Sequence, residues 1–117
     1  FYPVQYAAIA ALDGPQDILE RNRRGYTERR DALCGGLRSI GWDVKNSPAT
    51  MFVWAKLPPN QNNSFEFVLN LIEKTGVICT PGSSFGPGGE GYVRFAMVAP
   101  PETMRRVVSL IKESGIL

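Results

Sequence analysis

The stretch Pro81–Val98, PGSSFGPGGEGYVRFAMV, sets a glycine-rich loop directly before a hydrophobic strand that carries a single arginine. Five glycines in ten positions (Gly82, Gly86, Gly88, Gly89, Gly91) open backbone angles denied to other residues and let a ligand or another chain approach the main chain. The strand then alternates. Tyr92, Arg94, Ala96 and Val98 point one way, and Val93, Phe95 and Met97 the other. A guanidinium beside the small Ala96 has two readings: a solvent-facing charge on a one-sided sheet, or a fixed fork for a carboxylate or phosphate at the edge of a cleft.

Gly86, Gly88 and Gly91 also spell G-x-G-x-x-G. A dinucleotide fingerprint must open a helix whose N-terminus meets the pyrophosphate, and here a strand follows. The motif is rejected.

With 117 residues, 44% hydrophobic and 21% charged, the chain has the makings of one globular domain with a modest core. A net charge of +2 does not argue for nucleic acid. No apolar run approaches the length of a membrane span and nothing resembles a signal peptide. Cys34 and Cys79 stand in no metal or redox spacing and read as free buried thiols in a reducing compartment, the cytoplasm. There is no histidine, and the four lysines (Lys45, Lys56, Lys74, Lys112) fall near element ends. A self-contained hydrolase or metal enzyme needs a base or ligand set that this composition does not assemble. The chain opens at Phe1 without a methionine, as a piece of something longer would.

Phe1–Leu12, FYPVQYAAIAAL, reads as an extended entry and a short helix, whose apolar surface meets either a missing segment or this domain's own core. Asp13-Gly14-Pro15 starts a long helix with Asp17 and Glu20 in its first turn. Leu19, Tyr26, Leu33, Leu37 and Ile40 mark one apolar stripe to Gly41. At 1.5 Å per residue the rod is about 39 Å long, against a diameter of roughly 35 Å for a compact chain of this size. It therefore overruns its domain, as a connector would. Gly25, Gly35 and Gly36 weaken it and point to close approach of another element. Its arginines pair at i,i+4 spacing (Asp17 with Arg21, Glu20 with Arg24, Arg24 with Glu28), which favours a solvated face over a nucleic-acid surface.

Further along, Trp42–Val44 reads as a short strand and Met51–Leu57 as a central one, with Phe52 and Trp54 expected on its core face and the alternative of Phe52 lining a pocket. Ser64 caps a helix carrying Phe65, Val68, Leu71 and Ile72. Val77–Thr80 and Tyr92–Val98 are further strands, and Met104, Val107, Val108 and Ile111 give the last helix its apolar face. The order helix, strand, strand, helix, strand, strand, helix predicts an α+β fold, a small mixed sheet covered by helices behind a long N-terminal connector helix.

PGSSFGPGGEGYVRFAMV, ATMFVWAKLP at Ala49–Pro58 and FYPVQYAAIAAL together resemble the C-terminal part of class I/II aminotransferases, pyridoxal-phosphate enzymes of fold type I. The likeness is greatest to the branch of alanine and LL-diaminopimelate aminotransferases and runs over essentially the whole chain. It implies that residues 1–14 are the tail of the large domain or an interdomain segment, and 15–117 the small domain. Arg94 matches the arginine that grips the substrate α-carboxylate, Phe52 an aromatic beside the substrate, and Phe1 and Tyr2 a segment near the dimer interface. The resemblance further implies pyridoxal 5'-phosphate held upstream of Phe1, amino acids and 2-oxo acids as substrates, a homodimer as the full-length protein, and no activity in this piece alone. Two competitors remain at this level. GYVRFAMV is faintly like the aromatic strand of an RNA-reading module, and an amino-acid-sensing regulatory domain would also use Arg94.

Overall fold

A computed structural model describes the chain from Phe1 to Leu117. Helix α1 spans Tyr2–Asp13 and α2 spans Asp17–Arg30, with the break at Gly14-Pro15. The first segment is thus helical almost from its first residue, with Pro3 lodged in the first turn, where its missing N–H costs nothing. The side-chain amide of Gln16 donates to the carbonyls of Ala11, Leu12 and Gly14 at 3.2, 3.2 and 2.7 Å and so caps the end of α1. Neither α1 nor α2 buries a residue. The longest dimension of the molecule is accordingly 52 Å, against 30 and 22 Å across, and the radius of gyration is 17.1 Å.

The rod continues past Arg30 through one π-helical turn, Asp31–Gly35, into α3, Gly36–Ser39. A π turn holds one residue more than an α turn and rotates everything beyond it. The apolar stripe expected along the rod is buried only where the rod meets the core: Leu33 and Leu37 are fully buried, whereas Leu19, on the half that overruns the core, is 60% exposed. Of the three glycines, only Gly36 meets a neighbour, because a Cβ there would strike the Val108 side chain. Gly25 and Gly35 have open space. On the solvated half, Glu20 pairs with Arg23 at 2.8 Å and Arg24 at 3.4 Å. Asp17 with Arg21 and Arg24 with Glu28 form no pair.

Strands β1 (Phe52–Lys56), β2 (Thr80–Pro81) and β3 (Tyr92–Ala96) make a sheet in the order β1-β3-β2, antiparallel throughout. The expected mixed sheet is corrected because Trp42–Val44 joins no ladder. Its indole instead donates to the Lys56 carbonyl at 2.7 Å, and Arg38 binds the Val44 carbonyl at 2.6 Å. The segment is held by side chains where backbone pairing was expected.

Helix α4 (Ser64–Thr75) is capped by Asn63, whose Oδ1 accepts from the Phe65 and Glu66 amides at 3.0 and 3.1 Å. This corrects the assignment of the cap to Ser64, which is buried and bonded elsewhere. Phe67, Val68 and Leu71 face inward, while Phe65 and Ile72 are exposed. Helix α5 (Pro101–Ser114) buries Met104, Val108 and Ile111 as its spacing requires. One face of β3, Val93 and Phe95, continued by Met97, joins Val53 and Ala55 of β1 and the inward residues of α3–α5 in one core. Burying a side chain of leucine size contributes about 1.5–3 kcal/mol. Trp42 sits at the core's centre, edge-on to Phe67 and Phe95 at 5.5 and 5.8 Å. This leaves the other face of the sheet, with Arg94, uncovered.

Candidate functional site

Arg94 occupies the middle of the central strand, opposite Trp54 on one side and Thr80 on the other. Its guanidinium carbon lies 4.2 Å from the Phe52 ring centre and 4.5 Å from that of Phe85. Such cation–π contacts hold the charge by the ring faces and consume none of its five N–H donors. The chain's ion pairs join Glu20 to Arg23 and Arg24, Arg30 to Asp31, and Glu102 to Arg105. Arg94 takes no part in them. A guanidinium fixed by apolar contacts and still free to donate is a fork ready for a planar anion.

Phe52 and Trp54 were expected on the core face, with Phe52 lining a pocket as the alternative. The structure turns the pair outward: Val53 and Ala55 are fully buried, Trp54 is 40% exposed and Phe52 is half-buried against Arg94. Alternation fixes only that Phe52 and Trp54 share a face. The small Ala55 is the member that packing against the helices demands inside. Trp54 stacks on Tyr92 at 5.5 Å and meets Phe85 edge-on at 5.6 Å, so aromatic rings surround the arginine.

The glycine loop builds the far side. It winds through two short 3-10 turns, Gly82–Phe85 and Pro87–Gly89, with Gly86 between them at φ +104°. Gly82 and Gly89 are buried against each other so closely that a Cβ on either would collide with the other's carbonyl. The loop is also tied to the start of α4. The Ser64 hydroxyl bonds the Ser83 hydroxyl at 3.1 Å and accepts the Ser83 amide at 3.2 Å. Glu90 accepts the Gly91 amide at 2.8 Å and the Ser64 amide at 2.7 Å. These two backbone bonds hold its carboxyl below the usual carboxylate range.

Sequence reasoning missed Phe85. Its signal was an isolated large aromatic inside an otherwise small-residue loop. Tyr2, by contrast, lies on α1, 74% exposed, and is not among the rings against Arg94. Phe1 is 89% exposed beside it. The sequence also placed Arg94 at the edge of a cleft, and within this chain it lines none. The largest concavity, about 650 Å³ between the Gly41–Asp43 and Leu57–Asn62 segments, does not include it, and neither does one of about 610 Å³ lined mainly by apolar residues of the Val77–Ile78 segment and α5. The arginine lies on an open sheet face, and the chemistry is assigned to that face because Arg94 is unpaired and held between two rings, whereas Arg29, also unpaired, lies over the single ring of Tyr26 at 5.1 Å on the α2 rod. The lysines are all exposed, and no residue set in the chain makes a metal centre. No helix is long and apolar enough to cross a membrane.

The fold is that of an α+β domain, and one face of its sheet carries the unpaired Arg94 between two rings. Comparison with known proteins gives that domain its family. Residues 2–111 match the family model for aminotransferase class I and II. LL-diaminopimelate aminotransferase from Halothermothrix orenii is 43% identical over 116 residues, which cover 99% of this chain and 30% of that protein. The enzyme of the same name from Moorella thermoacetica is 43% identical over 112 residues, 96% of this chain and 28% of that protein. Substrate-bound BacF from Bacillus subtilis superposes with a TM-score of 0.87 at 35% identity, over 95% of this chain and 28% of the other. Alanine aminotransferase from Pyrococcus furiosus gives 0.84 at 30% identity, over 95% and 29%. The chain belongs to the class I and II aminotransferases, and it spans about 30% of the length of the first of these curated relatives. The RNA-reading alternative falls here: the chain opens with two helices and has three strands, where that module alternates strand and helix from a first strand.

Proposed function

We propose that this chain is the small, C-terminal domain of a pyridoxal-phosphate-dependent transaminase, in which Arg94 binds the α-carboxylate of an amino acid or 2-oxo acid. One observation carries the reading: a guanidinium held between ring contacts on an open sheet face, with no carboxylate of its own chain to neutralise it. Two N–H groups on one edge of the fork meet the two oxygens of a carboxylate, which fixes the plane of the substrate as well as its position. Phe52, in contact with the same guanidinium, lies beside the bound acid and keeps water from one side of the pair.

Residues 15–117 act as the moving part and residues 1–14 as the segment joined to the large domain. The exposed apolar side chains of α1 support that division: Val4, Tyr6, Ile9 and Leu12 have no partner in this chain. Tyr2 lies near the interface of a homodimer. When substrate enters, its carboxylate bridges from the large domain to Arg94. The new bonds favour closure, and closure expels water from around the reacting atoms.

Pyridoxal phosphate, when bound, supplies the electron sink for amino-group transfer. The residues of this chain do not make a cradle for it. Lys45 and Lys56 are exposed beside Asp43 on an open groove, and Lys74 and Lys112 lie on helix surfaces. Its anchoring groups therefore belong to the rest of the protein, and the chain alone is inactive.

The test is Arg94→Lys in the full-length enzyme, assayed with LL-diaminopimelate and L-alanine as amino donors and several 2-oxo acids as acceptors. Lysine keeps the charge but loses the second prong. A charge-assisted hydrogen bond is worth about 1.5–3 kcal/mol, so KM should rise roughly ten- to a hundredfold across the panel. Unchanged kinetics would refute the assignment.

A further inference from the structure

The glycine loop does more than turn the chain. We propose that Phe85 is a positioning residue for Arg94: the loop carries its ring onto the guanidinium and fixes the direction of the fork before any ligand arrives. This inference rests on the proposed carboxylate role of Arg94.

Phe85 is 50% exposed, so its position depends on what holds the ring and the backbone that bears it. Three things do. The Trp54 indole meets it edge-on at 5.6 Å, and Trp54 is itself stacked on Tyr92. The backbone that bears it is pinned at one end by the Gly82 and Gly89 contact and by Ser83 on Ser64. At the other end the Gly86 amide donates to the Ser83 carbonyl at 3.1 Å and closes the turn that bears the ring, and the positive φ of Gly86 lets the chain bend away directly after it. The guanidinium carbon then sits 4.5 Å from the ring centre.

An arginine on an open sheet face would otherwise sample many rotamers, and each ligand would have to freeze them. Phe52 from β1 and Phe85 from the loop, both against the guanidinium, restrict those rotamers and so reduce what a ligand must freeze. Preorganisation of this kind acts on binding of the anion and leaves any group that lacks a carboxylate unaffected.

The experiment is a double-mutant cycle in the full-length holoenzyme. Pyruvate and 2-oxoglutarate are titrated by calorimetry into wild type, Phe85→Leu, Arg94→Ala and the double variant, with pyruvamide as the ligand without a carboxylate. Phe85→Leu keeps the apolar volume and removes the ring face. It should weaken both acids by roughly three- to tenfold, the range expected when one side chain must be immobilised on binding. It should leave pyruvamide binding unchanged. In the Arg94→Ala background it should have no further effect, and Phe85→Tyr should restore wild-type affinity. Equal weakening of pyruvamide, or additive losses in the double variant, would overturn the role of Phe85 and leave Arg94 standing. Wild-type affinity in Arg94→Ala would remove the carboxylate reading itself, and the inference with it.

Discussion

Trp42 illustrates how one side chain can do the work of a strand. Its indole N–H reaches the Lys56 carbonyl at 2.7 Å, while its rings meet Phe67 from α4 and Phe95 from β3. One residue thereby joins both helical and sheet parts of the core. Trp42→Phe keeps much of the apolar contact but leaves the Lys56 carbonyl without that donor, at a cost of about 1–3 kcal/mol. Chemical denaturation should therefore show a lower midpoint with an unchanged slope. Periodicity made this segment a strand, since Trp42 and Val44 do alternate inward around Asp43. What alternation could not convey was which group satisfies the backbone beside it, because that partner lies fourteen residues away. Arg94 was legible for the opposite reason. A lone charge amid Val93 and Phe95 is visible in any reading of a strand, whereas the outward turn of Phe52 and Trp54 depended on packing that only the assembled helices impose.

Among the elements, α4 and the glycine loop form one unit through Glu90. Its carboxylate sits at the N-terminus of α4, where the helix dipole favours negative charge, and at the same time holds the Gly91 amide just before β3. The folded carboxyl titrates below its ordinary value of 4.5. A group lowered on folding contributes stability that is present above that ordinary value and disappears as the pH falls through the folded one. Glu90→Gln should lack this component. Thermal midpoints measured from pH 7 down to pH 3 should fall less steeply for the variant than for wild type, and identical slopes would show that the carboxylate charge is immaterial. The helices themselves were readable from apolar spacing, and α5 follows its pattern at Met104, Val108 and Ile111. The rod did so only in its second half, where Leu33 and Leu37 reach the core; Leu19 lies on the half that extends beyond it, which apolar spacing alone does not reveal. In α4 the inward set shifted to Phe67, Val68 and Leu71 because Ser64 is drawn into the loop.

The whole molecule is longer than its core requires, since α1 and most of α2 lie outside it. A twelve-residue helix that buries nothing is marginal by itself, as nucleation is costly and short helices depend on packing. In the proposed enzyme the large domain supplies that packing. Hydrogen exchange should then find the Tyr2–Asp13 amides almost unprotected in the isolated 117-residue chain and strongly protected in the full-length protein. Equal exchange in both would argue against the division proposed at residues 14 and 15.

The two thiols lie wholly within the part of the molecule that does have a core. Cys34 is fully enclosed at the π turn, and burial pushes the Cys79 thiol up to about 12. Thiolate, the form that reacts with alkylating agents, is thus scarce and out of reach while the domain is closed. The fold therefore carries its own clock. Each sulfur becomes nucleophilic only when the surrounding layers part, so modification of Cys34 or Cys79 registers the opening of the core that encloses them.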